Sequence, residues 1–139
     1  MKIAYFDCSF GAAGDMLVAA CLDAGASLGV LEEQLAGLNL PAGSYKLVTS
    51  GVNRCSIRST THDHAHESEH QRSLSEILAL IENSDLASDV KELASKIFNR
   101  LGLAESQVHG VALDQIHFHE VGAIDAIVDI VGFSIAYNQ

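Results

Sequence analysis

The order of apolar and polar positions divides the first third of the chain into one strand and two helices. Aromatic, β-branched and other apolar residues fill positions 2–8, which predicts a buried first strand ending in a glycine-rich turn. Asp15 then begins an apolar helix that Gly25 ends. A second helix is expected over residues 28–38, because Asn39 and the single proline follow it.

The middle of the chain predicts a hairpin, a loop and a capped helix. Alternating β-forming residues at 45–49 and 56–61 favour two neighbouring strands. Residues 62–72 are polar and rich in histidine without a packing pattern, which is typical of a flexible loop. Ser73 and Glu76 have the spacing of a capping box and so predict the start of a helix.

Two further helices complete the prediction. Gly110 ends the first of them, whose apolar positions fall on one face: Val90, Leu93, Ala94, Ile97, Phe98, Leu101 and Val108. The last helix is expected over residues 121–137, and its apolar end suggests a fragment of something longer. The predicted class is α/β or α+β, as one domain over 1–139 with a small mixed sheet of about three strands covered by about five helices.

Composition narrows the range of functions. The 139 residues are 48% hydrophobic and 19% charged, which is the balance of a folded protein. A net charge of -10, with only 8 scattered lysines and arginines, argues against nucleic-acid and membrane partners. Since there is no signal sequence, no long apolar run and no CxxC pair among 3 cysteines, a soluble, reduced, cytoplasmic protein is expected.

The richest chemistry lies in residues 116–132, where acids and histidines interrupt an apolar run. A helical projection places Asp125 and Asp129 one turn apart on a stripe with Gly122, Gly132 and Ala136. Such a stripe lets another backbone or a ligand approach both acids, and their repulsion should raise at least one pKa. A divalent ion would relieve the repulsion. Alternatively, the acids cap a neighbouring helix or pair with Arg100.

Two histidines directly precede this stripe. Alternation places His117 and His119 on one side of an extended segment, with Phe118 opposite as an anchor. Together with Glu120 or Asp125 they could form a histidine–carboxylate site suited to nickel, zinc or iron. The alternative is that Glu120 caps the helix and the histidines bond to backbone groups.

The predicted loop carries a second group of candidate ligands, namely His62, His64, His66 and His70. Imidazoles interleaved with carboxylates suit borderline transition metals, and a flexible loop suits capture and release. A solvated polar linker is the alternative interpretation.

The turn after the first strand is a weaker signal. Gly11 and Gly14 lead into the helix, and Asp7 and Asp15 flank them. A helix N-terminus favours an anion, while the acids suggest a bound metal or an ion-bridged nucleotide. Neither phosphate-loop nor dinucleotide fingerprint is present. Such glycines also occur for steric reasons only.

Taken together, residues 5–8, 11–16, 108–110 and 116–132, with the histidine-rich loop, resemble the N-terminal region of the LarC-type nickel insertion proteins. The resemblance covers nearly the whole chain. It implies nickel insertion into pyridinium-3,5-bisthiocarboxylic acid mononucleotide, which yields the nickel-pincer nucleotide cofactor of lactate racemase. It also implies a nickel chelatase of the lyase class, dependent on CTP with Mn²⁺ or Mg²⁺. CTP binds the C-terminal region of these longer proteins, so that region is an expected partner, and self-association is a further expectation.

The resemblance also suggests roles for residues. Nickel would bind the four loop histidines, His117, His119, Asp125 and Asp129, while Asp7, Gly11, Gly14 and Asp15 would contact the nucleotide. A base must remove a ring proton, and His117, His119 and Glu120 are the candidates. One departure concerns Ser9 and Phe10, whose order is reversed relative to the usual family motif.

Two other functions stay open on the residues alone. One is a nickel or transition-metal storage or sensing module without turnover. The other is a metal-dependent phosphohydrolase that would use the four aspartates 7, 15, 125 and 129 with Mg²⁺. A missing lysine or arginine near these acids argues against the second.

Overall fold

A computed structural model of the protein describes residues 3–9, 11–50, 54–58, 72–118 and 124–139. These ranges contain five α-helices: α1 Gly14–Asp23, α2 Leu28–Ala36, α3 Leu74–Glu82, α4 Ser88–His109 and α5 Ile124–Tyr137. They also contain four short strands: β1 Lys46–Ser50, β2 Arg54–Arg58, β3 Arg72–Ser73 and β4 His117–Phe118. The mixed helix and strand class predicted from the sequence is confirmed.

The described strands pair as two small antiparallel sheets. β1 and β2 form the predicted hairpin, with Lys46 opposite Arg58 and Ser50 opposite Arg54. β3 and β4 form the second pair, with Ser73 opposite His117. This second pairing was not predicted, because two-residue strands are too short to show alternation in the sequence.

The prediction of a buried first strand is wrong for residues 3–8. These residues belong to no strand and are exposed, with Ile3 at 79% and Tyr5 at 87% of full exposure. Their β-forming composition favours an extended backbone, but burial requires neighbouring strands and a covering layer. Within this segment, the Phe6 ring packs against the rings of Phe133 and Tyr137 on α5.

Helix α5 lies at the centre of the core and contacts α1, α2 and α4. A helix surrounded by others can be apolar on most of its faces, which agrees with its composition. The Ser134 hydroxyl is buried there, but it donates to the Ile130 carbonyl at 2.8 Å. The fully buried residues of α5 include Ile127, Val128, Val131 and Ile135.

Helix α3 begins and helix α4 ends where the sequence predicts. The Ser73 hydroxyl accepts from the Glu76 backbone N–H and the Glu76 carboxylate accepts from the Ser73 N–H, so the capping box is confirmed. Gly110 ends α4 in the left-handed conformation at φ 66°. The apolar face of α4 is largely as predicted, except that Val108 is 79% exposed.

Helix α2 is shorter than predicted. It ends at Ala36, followed by Gly37 as the C-cap and by Asn39 in a left-handed conformation at φ 53°. Asparagine tolerates this conformation better than most residues, so the helix stops before residue 38. Within the described ranges, no helix is both long and apolar enough to cross a membrane.

Candidate functional site

The start of α1 lies directly against α5. A Cβ atom built on Gly14 would lie 2.5 Å from the Asp129 Cβ and 2.7 Å from its Oδ2. Real Cβ atoms do not come this close to other atoms, so only glycine fits at position 14. This is the close backbone approach that the small-residue stripe on α5 predicts. The steric interpretation of Gly14 is therefore supported.

Asp129 has a strongly perturbed carboxyl group. Burial, followed by the charges of Asp15 and Asp125, raises its pKa to about 6, against a lowering hydrogen bond from the Asp15 backbone N–H. Helix α1 has no side-chain cap of its own at Ala13. Asp129 therefore caps α1 from a neighbouring helix, as the alternative interpretation of the acids expected.

The other two acids complete a cluster around this helix start. Asp125 is exposed in the first turn of α5 and Asp15 is half-buried in the first turn of α1. Each carboxylate also accepts the N–H of the next residue. In the part of the chain that the structure describes, Arg100 forms no ion pair with either Asp125 or Asp129. The described part of the cluster is thus a group of three acids, and the charges of Asp15 and Asp125 raise the pKa of Asp129.

Three acids this close would attract a cation, but they do not form a finished metal site. Among the described residues, no three histidine, cysteine, aspartate or glutamate side chains are arranged to hold a metal ion. A divalent ion at the cluster would therefore need further donors from the substrate or from other parts of the chain.

The turn before α1 is exposed and held by local hydrogen bonds. Asp7 accepts from the Ser9 backbone N–H at 3.0 Å and from the Ser9 hydroxyl, and these bonds lower the Asp7 pKa. Gly11 donates to the Cys8 carbonyl at 2.9 Å with φ 83°, a conformation that favours glycine. Ser9 therefore binds Asp7 in this chain. Phe10, the other residue of the reversed pair, lies outside the described ranges.

His117 lies in a second neighbourhood. It is exposed on β4, while Phe118 is 2% exposed and packs against Phe98 with ring centroids 6.5 Å apart. The predicted anchoring by Phe118 is confirmed. Hydrogen bonds from Ser73 lower the Glu76 pKa most, and the charge of His117 lowers it further. Glu76, which the sequence indicated only as a helix cap, is thus near enough to His117 for the imidazole charge to act on it, although the two form no ion pair among the described residues.

Six predicted site residues lie outside the described residues, and their roles stay predictions: His62, His64, His66, His70, His119 and Glu120. Of the described candidates, Asp15, Asp125 and Asp129 come together with Gly14, whereas His117 lies beside Glu76.

Known proteins are similar in sequence to this chain over almost its whole length. The chain matches the nickel insertion protein family over residues 4–139. It is 50% identical over 138 residues to the pyridinium-3,5-bisthiocarboxylic acid mononucleotide nickel insertion protein of Desulfitobacterium hafniense, covering 99% of this chain and 34% of that protein. It is 49% identical over 140 residues to a relative from Geobacter sulfurreducens, covering 99% and 36% of the two chains.

No solved structure matches the chain. It spans about a third of the length of these curated relatives. With a match that extends over 136 of 139 positions, the chain belongs to the nickel insertion protein family.

Proposed function

We propose that this chain is the nickel-receiving part of a protein that inserts nickel into pyridinium-3,5-bisthiocarboxylic acid mononucleotide. The observation that supports the proposal most is the 50% identity to a Desulfitobacterium hafniense protein with that name, over 99% of this chain. The product would be the nickel-pincer nucleotide of lactate racemase. The CTP and Mn²⁺ or Mg²⁺ requirements would belong to the C-terminal region of the longer protein.

The proposed metal path begins at histidines and ends at the acid cluster. The loop histidines 62, 64, 66 and 70 collect Ni²⁺, and His117 with His119 position it. The exposure of His117 supports this role, because an exposed imidazole is free to exchange a ligand. Nickel is the substrate here, so a site of replaceable imidazoles suits it better than a closed structural site.

The acid cluster suits a step in which a cation replaces a proton. Because the pKa of Asp129 is about 6, its carboxyl group exchanges its proton near neutral pH. A cation that enters the cluster would favour ionised Asp129 and offset its repulsion with Asp15 and Asp125. Asp7 and the turn at Gly11 and Gly14 would contact the nucleotide.

Insertion also requires that the pyridinium ring lose a proton. His117, His119 and Glu120 are the proposed bases, since they follow one another before α5. The reaction class would be that of a metal chelatase among the lyases. The setting would be reducing and cytoplasmic, because three widely spaced cysteines without a CxxC pair imply no disulfide framework.

Calorimetric titration with Ni²⁺ tests the assignment. We expect the double variant His117→Ala/His119→Ala to weaken nickel binding by about tenfold or more, because it removes two side chains that would coordinate the ion directly. Deletion of residues 62–70 should reduce the number of ions bound. His109→Ala is the matched control, because His109 pairs with Glu105 on α4 and is the one of 7 histidines outside the proposed ligands. Unchanged nickel binding in both test variants would contradict the proposal.

A second titration separates insertion from storage. A nickel-loaded storage module would ignore the mononucleotide. An insertion protein should bind the mononucleotide. The mononucleotide should then change the affinity of the protein for nickel, and nickel should change the affinity for the mononucleotide by the same factor.

A further inference from the structure

The first segment, residues 3–7, belongs to no helix or strand and carries both packed and exposed apolar side chains. Phe6 rests on α5, with ring centroids 5.8 Å from Phe133 and 6.4 Å from Tyr137. Ile3 and Tyr5 are 79% and 87% exposed. One side of the segment therefore lies on a helix, while the other side presents an aliphatic and an aromatic residue to solvent.

The backbone of this segment is also available. Over the described ranges, no backbone hydrogen bond joins residues 3–6 to another segment, and the first bond in this region is from Gly11 to Cys8. A segment whose N–H and C=O groups are not bonded within its own fold is a template on which another strand can pair. Among the described residues, main-chain groups without a backbone bond and exposed apolar side chains thus coincide at positions 3–6.

We propose that residues 3–7 form a strand of a sheet that is completed by the remaining two-thirds of the longer family proteins. The chain spans only 34% of the Desulfitobacterium hafniense protein and 36% of the Geobacter sulfurreducens protein, so each has ample sequence to supply neighbouring strands. This occupant also explains why a sequence pattern typical of a buried strand is exposed in this structure.

A second copy of this chain is the less suitable occupant. Each copy carries a net charge of -10, so two copies repel one another, and this repulsion opposes a contact as small as one strand. The occupant that fits is a strand that bonds to the backbone of residues 3–7, together with an apolar layer that covers Ile3 and Tyr5. Nickel takes no part in this contact. An experiment can therefore confirm or contradict the contact independently of the proposed function.

Hydrogen exchange in a continuous chimera tests the contact. This chain is joined to the remaining two-thirds of the Desulfitobacterium hafniense protein, and amide exchange of residues 3–7 is compared with that of the 139-residue chain. We expect these amides to exchange at least about tenfold more slowly in the chimera. Amides of α4 report in both proteins whether the shared part is folded.

Variants then tie the protection to the apolar side chains. Tyr5→Glu should restore fast exchange in residues 3–7 of the chimera, because a charge cannot be buried there without a partner. The matched control Val108→Glu, at a residue that is 79% exposed on α4, should leave the protection intact.

Two results would overturn the inference. One is equally fast exchange of residues 3–7 in the chimera and in the 139-residue chain. The other is a dimer of the 139-residue chain, seen by light scattering, that Tyr5→Glu converts to a monomer, since the occupant would then be a second copy.

Discussion

The backbone of Gly14 and the side chain of Asp129 are so close that a methyl group does not fit between them, because the added Cβ would lie 2.5 Å from the Asp129 Cβ. The same carboxyl group accepts the next backbone N–H, that of Asp15. Steric contact and hydrogen bond together fix the start of α1 on α5. The acid cluster is therefore built by helix packing and not by local sequence.

Gly14→Ala should destabilise the protein by about 2 kcal/mol or more, as overpacking of a tight contact does. The measurement is the free energy of unfolding in urea. Gly132→Ala is the control on the same stripe of α5. Its added Cβ would lie 3.6 Å from Val18 and 3.7 Å from Leu31, which is ordinary contact.

We expect Gly132→Ala to be neutral or stabilising by roughly 0.5–1 kcal/mol, because alanine favours the helix more than glycine does. Equal destabilisation by the two alanines would show that the contact at Gly14 is not special. Asp129→Ala should not rescue Gly14→Ala, since the clashing Cβ remains.

Asp129→Asn should stabilise the protein at neutral pH by roughly 1–2 kcal/mol, a figure reduced for partial solvent screening. The folded-state pKa of about 6 lies above the ordinary 3.8, so the folded state binds the proton more tightly than the unfolded chain. Wild-type stability therefore falls as pH rises from about 4 to about 6. Asparagine carries no charge but can still accept from Asp15.

Chemical denaturation at several pH values checks this expectation. The stability difference between Asp129→Asn and wild type should vanish below about pH 4 and be complete above about pH 6. Asp114→Asn changes an exposed acid elsewhere and serves as the control for net charge. If Asp129→Asn has no larger effect than Asp114→Asn, the three acids do not interact as described.

Ser73→Ala should destabilise α3 by about 1 kcal/mol, because the Glu76 N–H loses its acceptor. Thermal unfolding measures the loss. Ser88→Ala is the control, since the Ser88 hydroxyl donates to Asp89 and caps no backbone group.

The same variant should alter the acid limb of stability. Hydrogen bonds from Ser73 hold the Glu76 pKa below the ordinary 4.5, so Glu76 stabilises the fold above that pH and loses this effect on acidification through its lower folded pKa. The variant keeps the bond from the residue 73 backbone N–H and removes the one from the hydroxyl, so an unchanged acid dependence would contradict the hydroxyl bond to Glu76.

Phe118→Ala should cost about 3–5 kcal/mol, as expected for a large aromatic side chain removed from a core. The phenyl ring is 2% exposed and packs against Phe98. Leu103→Ala, at a residue that is 44% exposed on α4, should cost far less. Urea denaturation distinguishes the two, and similar losses would mean that Phe118 is not an anchor.

Local signals in the sequence predicted most of the helices correctly. The capping box at Ser73, the left-handed stop at Gly110 and the long apolar face of α4 depend on neighbours within a few positions. Such features survive in any tertiary context. Val108 was misplaced because the apolar repeat continues beyond Gly102, the last buried position of α4 among the described residues.

Features that depend on distant residues could not be predicted. The stripe on α5 showed that something could approach Asp129, but not that Gly14 does so. The electrostatic effect of His117 on Glu76 arises because two strands of two residues each pair with one another, and strands this short leave no periodic signal. The first segment shows the opposite case, in which the local pattern is strong and the tertiary partner is not among the described residues.

The alternation in β4 fixes the direction in which the His117 side chain faces. With the Phe118 ring held inside the core by Phe98, a slip of one position would expose the phenyl group and bury an imidazole. The contact between Phe98 and Phe118 therefore holds His117 facing solvent. A metal that binds His117, as proposed above, would meet an imidazole that already faces solvent and would need no rearrangement of the backbone.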